Sequence, residues 1–106
     1  MALYPGFALR QNVTADTVIG TSGLPTVIYS ITVQSGTSVG ITIRNGTAVG
    51  DTAVWGPTAA LTPSTTVPGT HYAFPNGLFC PLGGYADVTN PGVVDITYNQ
   101  APFFGN

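Results

Sequence analysis

Apolar and polar residues alternate along much of this chain with a period of two, the pattern of half-buried β-strands. The clearest run is Thr26 to Val33, where Val27, Tyr29, Ile31 and Val33 fall on one face and Ser30 and Thr32 on the other. Ser35-Gly36-Thr37-Ser38 then supplies a turn. Val39 to Arg44 resumes the alternation with Val39, Ile41 and Ile43 inward, so the two runs are expected to pair as a hairpin. Asn45-Gly46 follows, a pair that tolerates positive φ and marks a hairpin turn. Thr47 to Trp55 reads as the next strand, bulged at Gly50, with Trp55 at the edge of the core.

The same grammar recurs on both sides. Asn12 to Ile19 reads as a first strand. In the last third come His71 to Phe74, a turn at Pro75-Asn76-Gly77, Leu78 to Leu82, Gly83-Gly84, Tyr85 to Thr89, a turn at Asn90-Pro91-Gly92, and Val93 to Tyr98. Between them, residues 56–70 form a long Pro/Thr-rich loop, because Pro57, Pro63 and Pro68 each remove a backbone donor and forbid a central strand. With 14 Gly and 9 Pro scattered through 106 residues, a long helix has no room.

The expectation is one all-β domain spanning 1–106, a small antiparallel β-sandwich, jelly-roll or immunoglobulin-like, of about seven to eight short strands. Two stretches fall outside that pattern, an N-terminal arm over 1–10 and a C-terminal arm over 101–106. Both are apolar and aromatic where chain ends are normally polar. Either they fold back over the open ends of the sandwich, or Leu3, Tyr4, Phe7, Pro102, Phe103 and Phe104 make the contacts to a neighbouring subunit, since aromatics are enriched at interface cores.

Charge narrows the chemistry further. Arg10, Arg44, Asp16, Asp51, Asp87 and Asp95 are the whole charged set, 6 % of the chain, with a net charge of -2. Binding nucleic acid or an anionic membrane surface needs cations to displace counterions, so neither is an expected partner. No apolar run approaches the roughly 20 residues of a membrane helix. A hydrophobic fraction of 43 % still predicts a folded chain, and a surface so poor in charge predicts one that works assembled with other copies or proteins. The first ten residues show no basic segment ahead of their apolar ones and do not read as a signal peptide, so synthesis in a cytoplasm is expected.

Few side chains carry reactive chemistry. His71 is the only histidine and Cys80 the only cysteine, so an internal disulfide and a paired-histidine metal site are impossible within one chain, and no cofactor is expected. Gly36-Thr37-Ser38-Val39-Gly40 matches the G-x-S-x-G expression of a hydrolase nucleophile elbow. That elbow needs a strand turning into a helix, whereas Ser38 leads into another strand, so a Gly/Ser turn is the stronger reading and no enzyme is expected. His71 reads as a strand-edge or loop residue, and Cys80, between Phe79 and Pro81, as a small buried hydrophobe. Asp87 and Asp95 alternate with Val88, Val94 and Ile96 and are expected to be solvated surface charges. Trp55 with Tyr72 or Tyr85 offers a stacking platform for sugar rings, although core or interface packing is favoured for rings that bury so much area.

The order of segments resembles a group of small virion proteins of tailed bacteriophages. The likeness rests on Val27 to Val33, Gly40 to Thr47, Phe74-Pro-Asn-Gly-Leu-Phe79, Tyr85 to Thr89 and Val94 to Tyr98, and spans about residues 26 to 98. These are turn and strand patterns, not chemistry. The resemblance implies a β-sandwich on the capsid surface of a virion, most simply a decoration or cement protein that binds the outside of a phage head and stabilises it. It implies the major capsid protein and further copies of the chain as partners, with a homotrimer by analogy. The alternative is a carbohydrate- or receptor-binding module of a phage tail or head fibre.

Overall fold

A computed structural model of the chain describes residues 8–36, 39–56, 71–89 and 92–101. Eight strands make up the described fold: β1 (Leu9–Val13), β2 (Thr17–Ile19), β3 (Thr26–Gly36), β4 (Gly40–Asn45), β5 (Thr52–Trp55), β6 (His71–Cys80), β7 (Gly84–Thr89) and β8 (Gly92–Gln100). They form two antiparallel sheets of four, ordered β1-β8-β3-β6 and β2-β7-β4-β5. There is no helix among the described residues, so the all-β expectation holds.

The order has a simple rule. β1 pairs with β8, β2 with β7, β3 with β6 and β4 with β5, so the chain is one long antiparallel ribbon folded at β4–β5 and rolled up. Successive rungs of that ribbon fall alternately in the first and second sheet. This is the jelly roll, and the immunoglobulin-like alternative is excluded by it.

The rolled ribbon overturns several local expectations. Thr26–Val33 and Val39–Arg44 do not pair. β3 and β4 lie in opposite sheets, each turning its apolar stripe to the shared core, which buries more than a two-stranded hairpin would. Asn12–Ile19 is not one strand but two, β1 in the first sheet and β2 in the second, with the corner at 14–16. There Asp16 Oδ1 accepts the Val88 amide at 2.7 Å, tying the corner to β7. Conversely, His71–Phe74 and Leu78–Leu82 belong to one strand, β6, ending at Cys80. Pro75, Asn76 and Gly77 bow out of it, and the register against β3 jumps from Ile28↔Leu78 to Ser30↔Ala73.

A bulge also shifts the faces of β3. Against β8 the register passes from Ile28↔Tyr98 to Ser30↔Thr97, leaving Tyr29 as the extra residue. Inward parity therefore changes: Ile28 joins Ile31 and Val33 in the core, where strict alternation had placed Val27 and Tyr29. The rest of the core comes from Val13, Val94, Ile96, Tyr98 and Cys80 of the first sheet and Ile19, Ile41, Ile43 and Ala86 of the second, with Val39 beside β4. Asn45-Gly46 does reverse the chain between β4 and β5, but 47–51 is loop, and the strand is only Thr52–Trp55. Asp51 Oδ2 accepts the Thr47 and Ala48 amides at 2.8 and 2.9 Å and holds that loop closed.

Of the proposed N-terminal arm, Leu9 and Arg10 are the first residues of β1. β8 runs to Gln100, and the Ala101 amide donates to the Pro25 carbonyl at 3.0 Å. Leu3, Tyr4, Phe7, Pro102, Phe103 and Phe104 lie outside the described residues, as do Thr37, Ser38 and 57–70 of the long loop.

Candidate functional site

The rolled ribbon sends the 20–25, 46–51 and 81–83 connections to one end of the sandwich, with the start of β1 and the end of β8. Glycine lets these loops converge. Gly83 has φ +110°, and a Cβ placed there would come within 3.2 Å of the Gly23 nitrogen and the Gly46 carbonyl oxygen. The Gly46 amide donates to the Gly83 carbonyl at 2.8 Å, and the Leu82 amide to Asn45 Oδ1 at 2.8 Å. Gln100 ties in the remaining loop: its Oε1 accepts the Thr21 amide at 2.9 Å, while its Nε2 donates to Thr21 O and Thr26 Oγ1, both at 2.9 Å.

This braced end is greasy. Leu24, Val49 and Leu82, one on each loop, are 37 %, 53 % and 64 % exposed, and Leu9 and Phe79 on the adjoining strands are also exposed. Asp51 is the sole ionisable side chain in the three loops, and its carboxylate is occupied by the loop's own amides. Exposed apolar groups gathered on one surface mark an interaction site more often than chance.

The outer face of the first sheet has the opposite character. Two rows of side chains run across its strands, Asn12–Asp95–Thr32–His71 and Arg10–Thr97–Ser30–Ala73. Arg10 Nη2 donates to Asp95 Oδ2 at 2.6 Å, Thr32 Oγ1 bonds His71 Nδ1 at 2.7 Å, and Ser30 Oγ pairs with Thr97 Oγ1. The hydrogen bond to Asp95 and its charge raise the Arg10 pKa. Two clefts open on this face, about 240 Å³ beside Arg10, Asn12 and Asp95, and about 340 Å³ around Tyr29, His71 and Pro75.

Asp87 and Asp95 are therefore not solvated charges. Both point away from the core as their alternation implied, yet both are buried, each beneath an arginine from the neighbouring strand. His71 is an exposed residue of an edge strand, as expected. Cys80 is fully buried, and burial pushes its thiol up to about 11, so it is an inert hydrophobe at neutral pH. Trp55 meets Tyr72 and Phe74 edge-to-face, each at 5.1 Å, closing the gap between edge strands β5 and β6. Tyr85 is opposite Arg44 on the outer face while Trp55 is opposite Ile43 inside, so these two share no platform; Trp55 and Tyr72 do meet, edge-to-face and packed against the core, in line with the packing reading. No group of three His, Cys or acidic side chains gathers among the described residues to hold a metal.

No protein-family model matches the chain, and no match is found among the curated proteins or the solved structures.

Proposed function

We propose that this protein is a structural component of a larger assembly, docked through its loop end, and that the assembly is a phage head on which it serves as a decoration or cement protein. The observation that carries the docking part is the end itself: three interlocked loops, each presenting one large aliphatic side chain, with no uncommitted charge among them. Such an end loses little electrostatic solvation when covered and gains the burial of its apolar area. Strand β1 starts and strand β8 ends at this same end of the sandwich, at Leu9 and Gln100. Its occupant in this reading is the outer surface of the major capsid protein lattice. The phage setting rests on the segment resemblance. Each copy adds modest buried area, and the lattice multiplies the effect.

The test uses particles stripped of the protein and re-supplied with wild-type chain or with the Leu24→Asp, Val49→Asp, Leu82→Asp triple variant. Wild type is expected to rebind at regular positions and restore heat tolerance, and the variant to stay folded but leave most sites empty. Equal rebinding of the variant overturns the loop end as the dock, and particles equally robust without the protein overturn cementing. Self-association of the free protein that the triple variant abolishes would reassign the loop end to a contact between copies.

A further inference from the structure

We infer that the outer face of the first sheet is a binding site for a neutral oligosaccharide lying across the strands, with its anchoring subsite in the cleft between β3 and β6. The cleft is lined by apolar surface of Tyr29, Ala73 and Pro75 and by the polar side chains of Ser30, His71 and Thr97, with Phe74, whose ring packs on Trp55, at its edge. It lies where β3 bulges at Tyr29 and the register of β6 against β3 jumps across Phe74 to Gly77. At about 340 Å³ it is at the small end of ligand-sized clefts, about 300–1,000 Å³, and suits a short saccharide segment.

Bond capacity and charge decide the ligand class. Ser30 and Thr97 use one hydroxyl proton between them, leaving one proton and several lone pairs to offer. His71 is held through Nδ1 by Thr32, which fixes the ring and leaves Nε2 for a ligand. These are groups that suit hydroxyls acting as donor and acceptor at once, set around flat apolar rings that suit the C–H face of a sugar. An anion is disfavoured, because Arg10, the only arginine or lysine in either row, is already held by Asp95. A purely apolar ligand would leave the rim unpaired.

Both transverse rows lead from this cleft, past Thr32 and Thr97, to the second cleft at Arg10, Asn12 and Asp95. That continuity is why the ligand is a chain rather than a single ring. The site shares no named residue with the loop end and stands whether or not that end docks on a capsid.

The experiment is a titration of the ¹⁵N-labelled protein with maltotriose, cellotriose and chitotriose, followed by an array of neutral glycans and a control with inorganic phosphate. Saturable shifts are expected for at least one neutral series at the Ser30, Thr32, His71, Ala73 and Thr97 amides. The exposed-site variant His71→Ala and the double variant Ser30→Ala, Thr97→Val should each weaken binding about tenfold, the scale of one or two lost hydrogen bonds. The Leu82→Asp variant should bind as wild type, which separates this site from the loop end. Absence of saturable binding across every neutral series, shifts centred elsewhere, or phosphate binding at these same residues would overturn the proposal.

Discussion

Arg44 reaches diagonally across the second sheet to Asp87, its Nη2 2.8 Å from Oδ2, and Arg10 makes the same move across the first sheet to Asp95. In each case the aspartate lies two residues from the arginine's direct cross-strand partner, Tyr85 for Arg44 and Thr97 for Arg10. Diagonal neighbours of this kind are within reach of long side chains. The chain's two cations are thus spent on holding sheets together.

The two pairs differ in exposure, and their contributions should differ with it. Arg44 is largely shielded and also donates from Nη1 to the Asp51 carbonyl at 2.9 Å, whereas the Arg10 side chain is 66 % exposed. Arg44→Ala is expected to cost about 2 kcal/mol by removing the ion pair with Asp87 together with the bond to the Asp51 carbonyl, somewhat below the ~3–5 kcal/mol for a fully buried pair. Arg10→Ala should cost less, and its loss should shrink with added salt. Urea unfolding at low and high salt checks both; equal losses would contradict the assignment.

Two glutamines hold β2 and the 20–25 loop, and each guards a different amide. Gln11 Oε1 accepts the Gly20 amide at 2.8 Å and Gln100 Oε1 the Thr21 amide at 2.9 Å. Gln100→Ala should speed hydrogen exchange at Thr21 far more than at Gly20, and Gln11→Ala should do the reverse. With about 1 kcal/mol net per hydrogen bond, each change is expected at roughly fivefold in exchange rate. Uniform acceleration at both amides would mean the loop opens as one piece.

Alkaline pH should loosen the core through Cys80. Burial raises its thiol from the ordinary 9.0 to about 11, so between those values the unfolded chain releases a proton that the folded chain retains. Stability is then full below pH 9 and falls as pH rises toward 11. Tyr29 and Tyr98, whose phenols burial also raises, extend the loss to higher pH. Chemical unfolding from pH 8 to 11 should show the decline, and Cys80→Ala should flatten its early part. A slope unchanged by that variant would put the titration elsewhere.

Much of the fold was legible in the order of residues, because strand character is local. Alternation in Ile41 and Ile43 or Val94 and Ile96 requires one wet and one dry face, and Gly and Pro bar helices whatever the surroundings. The Asn45-Gly46 reversal, the inert Cys80 and the edge positions of Trp55 and His71 follow from the same short-range reasoning. The apolar loop end was not legible, since Leu24, Val49 and Leu82 are far apart in the chain and unremarkable singly.

Sequence alone determined that this is an all-β chain with no room for a long helix and very little charge, since backbone preference and side-chain type are properties of single residues and their immediate neighbours. Tertiary structure decided which strands share a sheet, that Tyr29 bulges and turns Ile28 inward, and that Asp87 and Asp95 are covered by arginines. Those outcomes depend on register between segments up to 89 positions apart, and register is chosen by the joint burial of all eight strands rather than by any one of them.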